Sequence, residues 1–423
     1  MATSVPSVVP AHARKGVTGS DFRWFWTAYA VSTFGDQITM VALPLAVFAR
    51  TDSALSVGIA AAMQSLTAVT LGLVAGAYAD RLRHRPILIA TDLIRGAVLG
   101  AVALVVLQSD TYSVLVLYVA AFVMGALRVL HDAAAGAALP RVVSGADLLR
   151  ANGRLSGAES AGNIGGPVLA GALVGIGGAG LALAADALSF VLSGISVSLV
   201  RPLRDRWSGA QARTTRDPSV RDDVIEGLRV VWADREFMHG LVLVAAMNVV
   251  AVAVEVQFIP YAEDLLHLGS LAIGAYFALG GLAGVLTAVV LSRKQEARGD
   301  VVIAGVGIFA AGVMVAGLVP SLLSAGVAFV AAGVGSVMVI THFSSLRQRR
   351  FPVRLLGRVG MAARTVLFGI LPLAQLGGGW IAGAYGPEVL FMVAAGIGLV
   401  ATAWGTAIGF GRVRMDDVID LTD

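Results

Sequence analysis

Three side chains in this 423-residue chain could do acid–base chemistry in an apolar setting: Asp36, Arg128 and Glu255. Each lies within an apolar run, where a charge costs several kcal/mol unless it is paired or wet. A carboxyl in such a place can take up and release a proton, and a nearby guanidinium changes how readily it does so. Asp36 falls about twelve residues into the first run, near mid-depth at ~1.5 Å per residue. Arg128 sits near the middle of the fourth run, with His131 and Asp132 three and four residues on, on the same helix face. Asp36 is expected to carry the proton, and Arg128 is expected to move relative to it. Glu255 is the only acid well inside a run of the second half and is the next candidate. Asp92, Arg95, Glu159, Asp186, Glu255 and Arg364 are read as nearer run ends than Asp36 and Arg128; of these, Asp92, Arg95, Asp186 and Arg364 are expected to lock helices together.

A second constellation is the polar knot Gly76-Ala77-Tyr78-Ala79-Asp80-Arg81-Leu82-Arg83-His84-Arg85-Pro86, set between two apolar runs. So short a loop makes its flanking segments antiparallel neighbours. Asp80 can pair with the positive N-terminal end of another helix. Asp132, close to the same end of its run, is expected to join the Asp80 network. A third is Gly162-Asn163-Ile164-Gly165-Gly166-Pro167-Val168-Leu169-Ala170-Gly171. Gly162 and Gly166 share one helix face, so another backbone can come close, and Pro167 removes a donor and bends the helix.

The elements that position these residues follow from composition. The chain is 57% hydrophobic and 14% charged, against about 25% charged in a soluble domain. Apolar runs long enough to span a ~30 Å bilayer recur along its length. Twelve spans are expected, at about 24–49, 55–79, 86–107, 113–138, 157–177, 179–200, 237–262, 269–291, 300–319, 321–345, 359–384 and 387–410. The fold class is an all-α polytopic membrane protein, with two six-helix bundles at 21–200 and 237–410. A tail at 1–20, a linker at 201–236 and a tail at 411–423 complete the chain. The first 20 residues show no cleavable signal pattern. Within the linker, Val220 to Trp232 is amphipathic and suits a short helix on the membrane surface.

Loop charge orients the spans. One face receives Arg81 to Arg85, Arg141 to Arg154, the linker, Arg293 to Arg298, Arg347 to Arg358, Arg412 and Arg414; the other receives Arg50 and no other Arg or Lys. Both termini are therefore expected in the cytoplasm. The halves also echo each other. Leu139-Pro140-Arg141 recurs as Phe351-Pro352-Val353, the prolines lying 212 residues apart, and the same offset carries Asp80 to Ser292, so the second copy of the loop lacks the acid. Two related bundles suit an alternating-access carrier with its site at their interface.

Other classes are disfavoured. There is no cysteine, which excludes disulfides, thiolate catalysis and Cys-ligated metals. His131-Asp132 has no serine nucleophile in a plausible elbow, and no phosphate-binding Gly-x-x-x-x-Gly-Lys-Ser/Thr is present. The net charge of +4 does not indicate nucleic acid, because the basic residues are dealt out among short loops. A channel would need a continuous polar pore, which singly placed charges do not make.

The knot resembles a signature of the major facilitator superfamily, with Arg83 where Gly is usual and His84 where the first basic residue is usual. The resemblance implies that Gly76, Asp80, Arg81 and Arg85 form a cytoplasmic gate with Asp132 and with the start of the eleventh span at Arg358. Gly162, Gly166, Pro167 and Gly171 resemble the antiporter motif of the same superfamily, with Ala170 in place of a paired glycine. Phe34-Gly35-Asp36 with Pro44, Leu139-Pro140-Arg141-Val142-Val143, Arg150-Ala151-Asn152, Asp186-Ala187-Leu188-Ser189-Phe190 and Gly357-Arg358 are similar to the enterobactin-exporter and macrolide-efflux-like branch. Ala133-Ala134-Ala135 departs from the Pro-Ala-Arg common there. The resemblance implies proton-coupled export of a drug-like or amphipathic molecule by a monomer in the inner membrane, with no cofactor. A dedicated exporter of a siderophore or other metabolite is the main rival, and a non-transporting sensor with this fold is another.

Overall fold

The 212-residue echo reappears in where the helices stop. In the computed structural model, which describes residues 17–79, 83–109, 111–203, 220–292 and 298–412, helix α2 (Ala54–Ala79) ends 212 residues before helix α8 (Ser270–Leu291). The first half is built from α1 (Ser20–Thr51), α2, α3 (His84–Gln108), α4 (Leu115–Val142) and α5 (Leu148–Ser198). The second contains α7 (Arg235–Pro260), α8, α9 (Gly299–Leu318), α10 (Leu322–Arg350), α11 (Val353–Gly369), α12 (Leu371–Tyr385) and α13 (Pro387–Ala407).

Helix α5 is two spans. Gly177 has φ −140° and Gly178 φ +72°, ψ 178°, a conformation that a side chain would resist. The chain turns there, at the break expected between the fifth and sixth spans. The expected eleventh span is instead two helices: α11 and α12 part at Ile370, with Gly369 before the break and Pro372 after it. With α5 counted twice and α11–α12 once, the described helices make twelve crossings.

Between the halves lies α6 (Val220–Ala233), too short to cross a bilayer and with Trp232 exposed. It packs on α11. Its neighbour α7 starts from Asp234, whose side chain accepts from the Phe237 amide at 3.1 Å. Helix α10 starts with a capping box between Ser321 and Ser324. These caps satisfy donors that a helix end would otherwise leave open.

Each half packs on itself first. Helices α1 and α3 pack on α5, and α2 on α4; in the second half, α9 packs on α10 and α13, and α8 on α10. The halves then meet along two seams, α5 against α8 and α2 against α12. Glycine makes both seams possible. A Cβ on Gly274 of α8 would fall 2.1 Å from the Pro167 carbonyl oxygen, and one on Gly58 of α2 would fall 2.5 Å from that of Gln375.

Candidate functional site

A cavity of about 440 Å³ lies between the two halves. The first half lines it with Gln37 and Met40 of α1 and with Ser160, Asn163 and Pro167 of α5. The second contributes Glu255 of α7, Phe277 and the Gly280–Ala288 stretch of α8, Phe309 of α9, and Phe329 and Ser336 of α10. Its volume suits a drug-sized ligand.

The seams set its floor. Ser270 Oγ donates to Gly171 O at 3.0 Å, Gln257 Nε2 donates to Ala54 O at 3.1 Å, and Ser65 meets Gln375. The first two lie toward the end of the helices remote from the arginine-rich loops, and the third lies nearer mid-helix. A Cβ on Gly281, near the middle of α8, would come 3.0 Å from Asn163 O. Ser160 and Ala288 line the cavity closer to the arginine-rich face than that contact does. The cavity is therefore closed on the far side and extends toward the arginine-rich side.

Asp36, one residue before the cavity-lining Gln37, pairs directly with Arg95 of α3. Arg128, the cation expected to move relative to it, has Asp36 as its strongest electrostatic neighbour. Arg95 is almost fully buried, and its guanidinium lies over the Phe190 ring, 3.9 Å from the centroid. It is the twelfth of 25 residues in α3, hence central in its span and not near an end. Arg128 instead contacts Asp132 one turn along α4, at 3.7 Å, and Asp36, Glu159 and Tyr29 are its further electrostatic neighbours. Asp132 is thus held by its own helix.

Two more acids are fixed around this pair. Asp186 accepts from Thr39 at 2.5 Å and from Ser189 at 2.8 Å. A Cβ on Gly35 would fall 2.0 Å from Asp186 Oδ1, so residue 35 must be glycine for α1 to approach α5 here. Asp92 accepts from Ser193 at 2.7 Å and has His131 Nδ1 at 3.2 Å; the same nitrogen is 3.1 Å from Thr91 Oγ1. The hydroxyls of Thr39, Thr91, Ser189 and Ser193 were not anticipated. Ser189 was visible as a donor three residues after Asp186; the other three depend on helix rotation, which spacing within one helix does not give.

Glu255 faces the cavity from the other half and has no hydrogen-bond or ion-pair partner among the described residues. The glycines of the α5 motif serve two contacts. A Cβ on Gly166 would meet Gln37 Cβ at 2.4 Å and one on Gly162 would meet Thr33 at 3.2 Å, so these two admit α1. Pro167 and Gly171 face α8, across the seam.

The knot is only partly described. Asp80 and Arg81 lie outside the described residues, and of Gly76 only the backbone, in α2, is described. Arg85 donates to Ser198 O at 2.7 Å and ties the start of α3 to the end of α5. Arg358 donates to Glu226 of α6 at 2.7 Å.

The sequence of residues 25–374 matches the family model of the Major Facilitator Superfamily. The chain belongs to the major facilitator superfamily. It is accordingly a multi-pass membrane transporter and not an enzyme. Among characterised members, the multidrug efflux pump Tap of Mycolicibacterium fortuitum is 27% identical over 376 residues, covering 85% of this chain and 88% of that protein. Tap of Mycobacterium tuberculosis (strain ATCC 25618 / H37Rv) is also 27% identical, over 377 residues, covering 87% and 88%. Among solved superfamily structures, a bacterial homologue of the iron transporter ferroportin in an inward-facing state superposes with TM-score 0.70 at 17% identity, covering 93% of this chain and 99% of that one. An occupied, inward-facing bacterial homologue of the lysosomal transporter Spinster gives 0.73 at 12%, covering 92% and 96%. These likenesses show the fold.

Proposed function

We propose that this chain is a secondary active exporter of drug-like or amphipathic small molecules, driven by protons and working by alternating access. The observation that carries the reading is the cavity between the halves, closed by glycine seams on the side remote from the arginine-rich loops. A carrier must expose one site to each side in turn, and two bundles meeting at tight seams can rock between two packings. The pumps named Tap, similar over most of this chain, support drug-like cargo.

In this reading the arginine-rich face is cytoplasmic, as the excess of Lys and Arg in short loops requires, and the cavity is open inward. The bundles 21–200 and 237–410 are the moving bodies, and 201–236 joins them. Asp36 carries the proton. Its partner is Arg95, and a shift of α1 against α3 changes that pair, which ties the proton site to helix movement. Arg128, with Asp132, supplies a second charge beside the proton path. Asp80 and Arg81, with Gly76, Arg85, Asp132 and Arg358, close the cytoplasmic side when the halves come together there. The protein acts as a monomer in the inner membrane.

The test is export of a fluorescent dye from bacterial cells stripped of their own pumps. The wild type is expected to lower dye accumulation several-fold and to lose that effect when a protonophore collapses the proton gradient. Unchanged accumulation for a broad set of drug-like compounds would overturn the efflux reading. Efflux that survives the protonophore would overturn proton coupling.

A further inference from the structure

Given the export reading above, we propose that the central cavity selects lipophilic organic cations, with Glu255 as the residue that recognises the charge. Glu255 looks into the cavity without a donor or cation to satisfy it among the described residues. No Lys, Arg or His lines the cavity with it. The Asp36 carboxylate has Arg95, and Asp186 and Asp92 have hydroxyl donors. Among the described residues, Glu255 is the acid in the cavity lining that is left for something that arrives.

The surrounding walls say what kind of cation fits. Phe277, Phe309 and Phe329 line the cavity beside Glu255, the rings of Phe277 and Phe329 standing 5.1 Å apart at 71°. Aromatic faces attract cations and bury apolar bulk. A compact ammonium would lose a tight hydration shell on entry, and two of the cavity's polar wall groups, Gln37 and Asn163, are already bonded to each other. A quaternary or phosphonium centre wrapped in aryl or alkyl groups needs only one counter-charge and apolar walls. An anion of the same shape meets the uncompensated carboxylate and is excluded.

Equilibrium dialysis with purified protein in nanodiscs, corrected against empty nanodiscs, tests this without requiring transport. The probes are tetraphenylphosphonium, the anion tetraphenylborate and neutral triphenylphosphine oxide. The wild type is expected to bind tetraphenylphosphonium at least tenfold more tightly than tetraphenylborate. Glu255→Gln, close to isosteric, is expected to weaken the cation tenfold or more while moving the neutral probe less than twofold. Glu255→Asp is expected to restore part of the preference. Equal cation affinity in wild type and Glu255→Gln would overturn the proposal, as would equal loss of all three probes. Cation selectivity in a protein that moves no dye would leave this inference standing and defeat the export reading. Export of neutral compounds by a protein blind to the cation would do the reverse.

Discussion

In the first half, charged and polar groups are paired within the helices at mid-depth: Asp36 with Arg95, Asp92 with His131, and Asp186 between Thr39 and Ser189. In the second half, the corresponding space holds Phe309, Phe329 and a lone Glu255, and the tight ion pairs sit at the arginine-rich end. There Arg350 grips Asp234 from two nitrogens, one at 2.9 Å, and reaches Glu236 at 2.5 Å, beside Phe237 stacked on Phe343. The same helical frame has therefore been filled in two ways. The first half is held together by compensated charge at mid-depth, where a change of proton count alters helix contacts. The second is held by apolar packing, with its tight described ion pairs at the arginine-rich end, away from mid-depth. One half is suited to respond to protons and the other to contact an apolar guest.

The largest contrast should come from removing the charge in each half. Asp36→Asn leaves Arg95 buried without its partner and removes the proposed proton carrier. Dye accumulation against a gradient in inverted vesicles should fall to background, while downhill exchange remains measurable. Asp234→Asn, at the edge of the other half, should retain more than half of wild-type accumulation. Equal loss in both would mean that the halves do not divide the work in this way.

Stability should show the opposite ranking. Asp234 and Arg350 are 3% and 14% exposed, so the pair is largely out of water. Removing one member of such a pair costs about 3–5 kcal/mol. Arg350→Met should lower resistance to denaturation in detergent by that order, and Asp234→Ala with Arg350→Met together should cost less than the sum of the two. Additive costs would show that the pair is not a unit.

A smaller effect is expected at the repeated loops. Asp80→Asn should reduce transport several-fold with normal membrane insertion, and Ser292→Ala, 212 residues on, should change it by less than twofold. Among the described residues, the Ser292 hydroxyl donates to Val289 O of its own helix end at 2.7 Å. Matching small effects would remove the idea that the halves differ at this loop.

The spans were legible because a lipid-facing helix must be apolar over its whole length, and because Gly177-Gly178 marks a turn in any reading. The break at Ile370 was signalled by Gly369 and Pro372, but the unbroken hydropathy around them hid it. The pairing of the site was not legible. Asp36 and Arg95 are 59 residues apart, and whether two helices present such groups to each other depends on their rotation and depth. Spacing within one helix does carry the Arg128–Asp132 contact, because residues four apart always meet. That local pair competes with the partner in another helix that composition alone would favour. Gly35 illustrates the same limit. Its type suggests a close approach, but only the packed structure shows that Asp186 is what approaches.

The smallest effect concerns α6. Arg358 and Glu226 are 31% and 49% exposed and pair at 2.7 Å, joining the surface helix to α11. Exposed pairs of this kind contribute about 0–1 kcal/mol, since water competes for both groups and two long side chains must be ordered. A double-mutant cycle of Arg358→Gln and Glu226→Gln, read by denaturation in detergent, should return a coupling below ~1 kcal/mol. The cycle isolates the Glu226 contribution whatever else Arg358 touches. Transport should separate the two singles. Arg358→Gln should lower it if Arg358 belongs to the gate, and Glu226→Gln should leave it within twofold. A coupling well above 1 kcal/mol, with transport lost in both singles, would make α6 a strut that bears on α11. The division of labour between charged and apolar halves would then have to include this connecting helix.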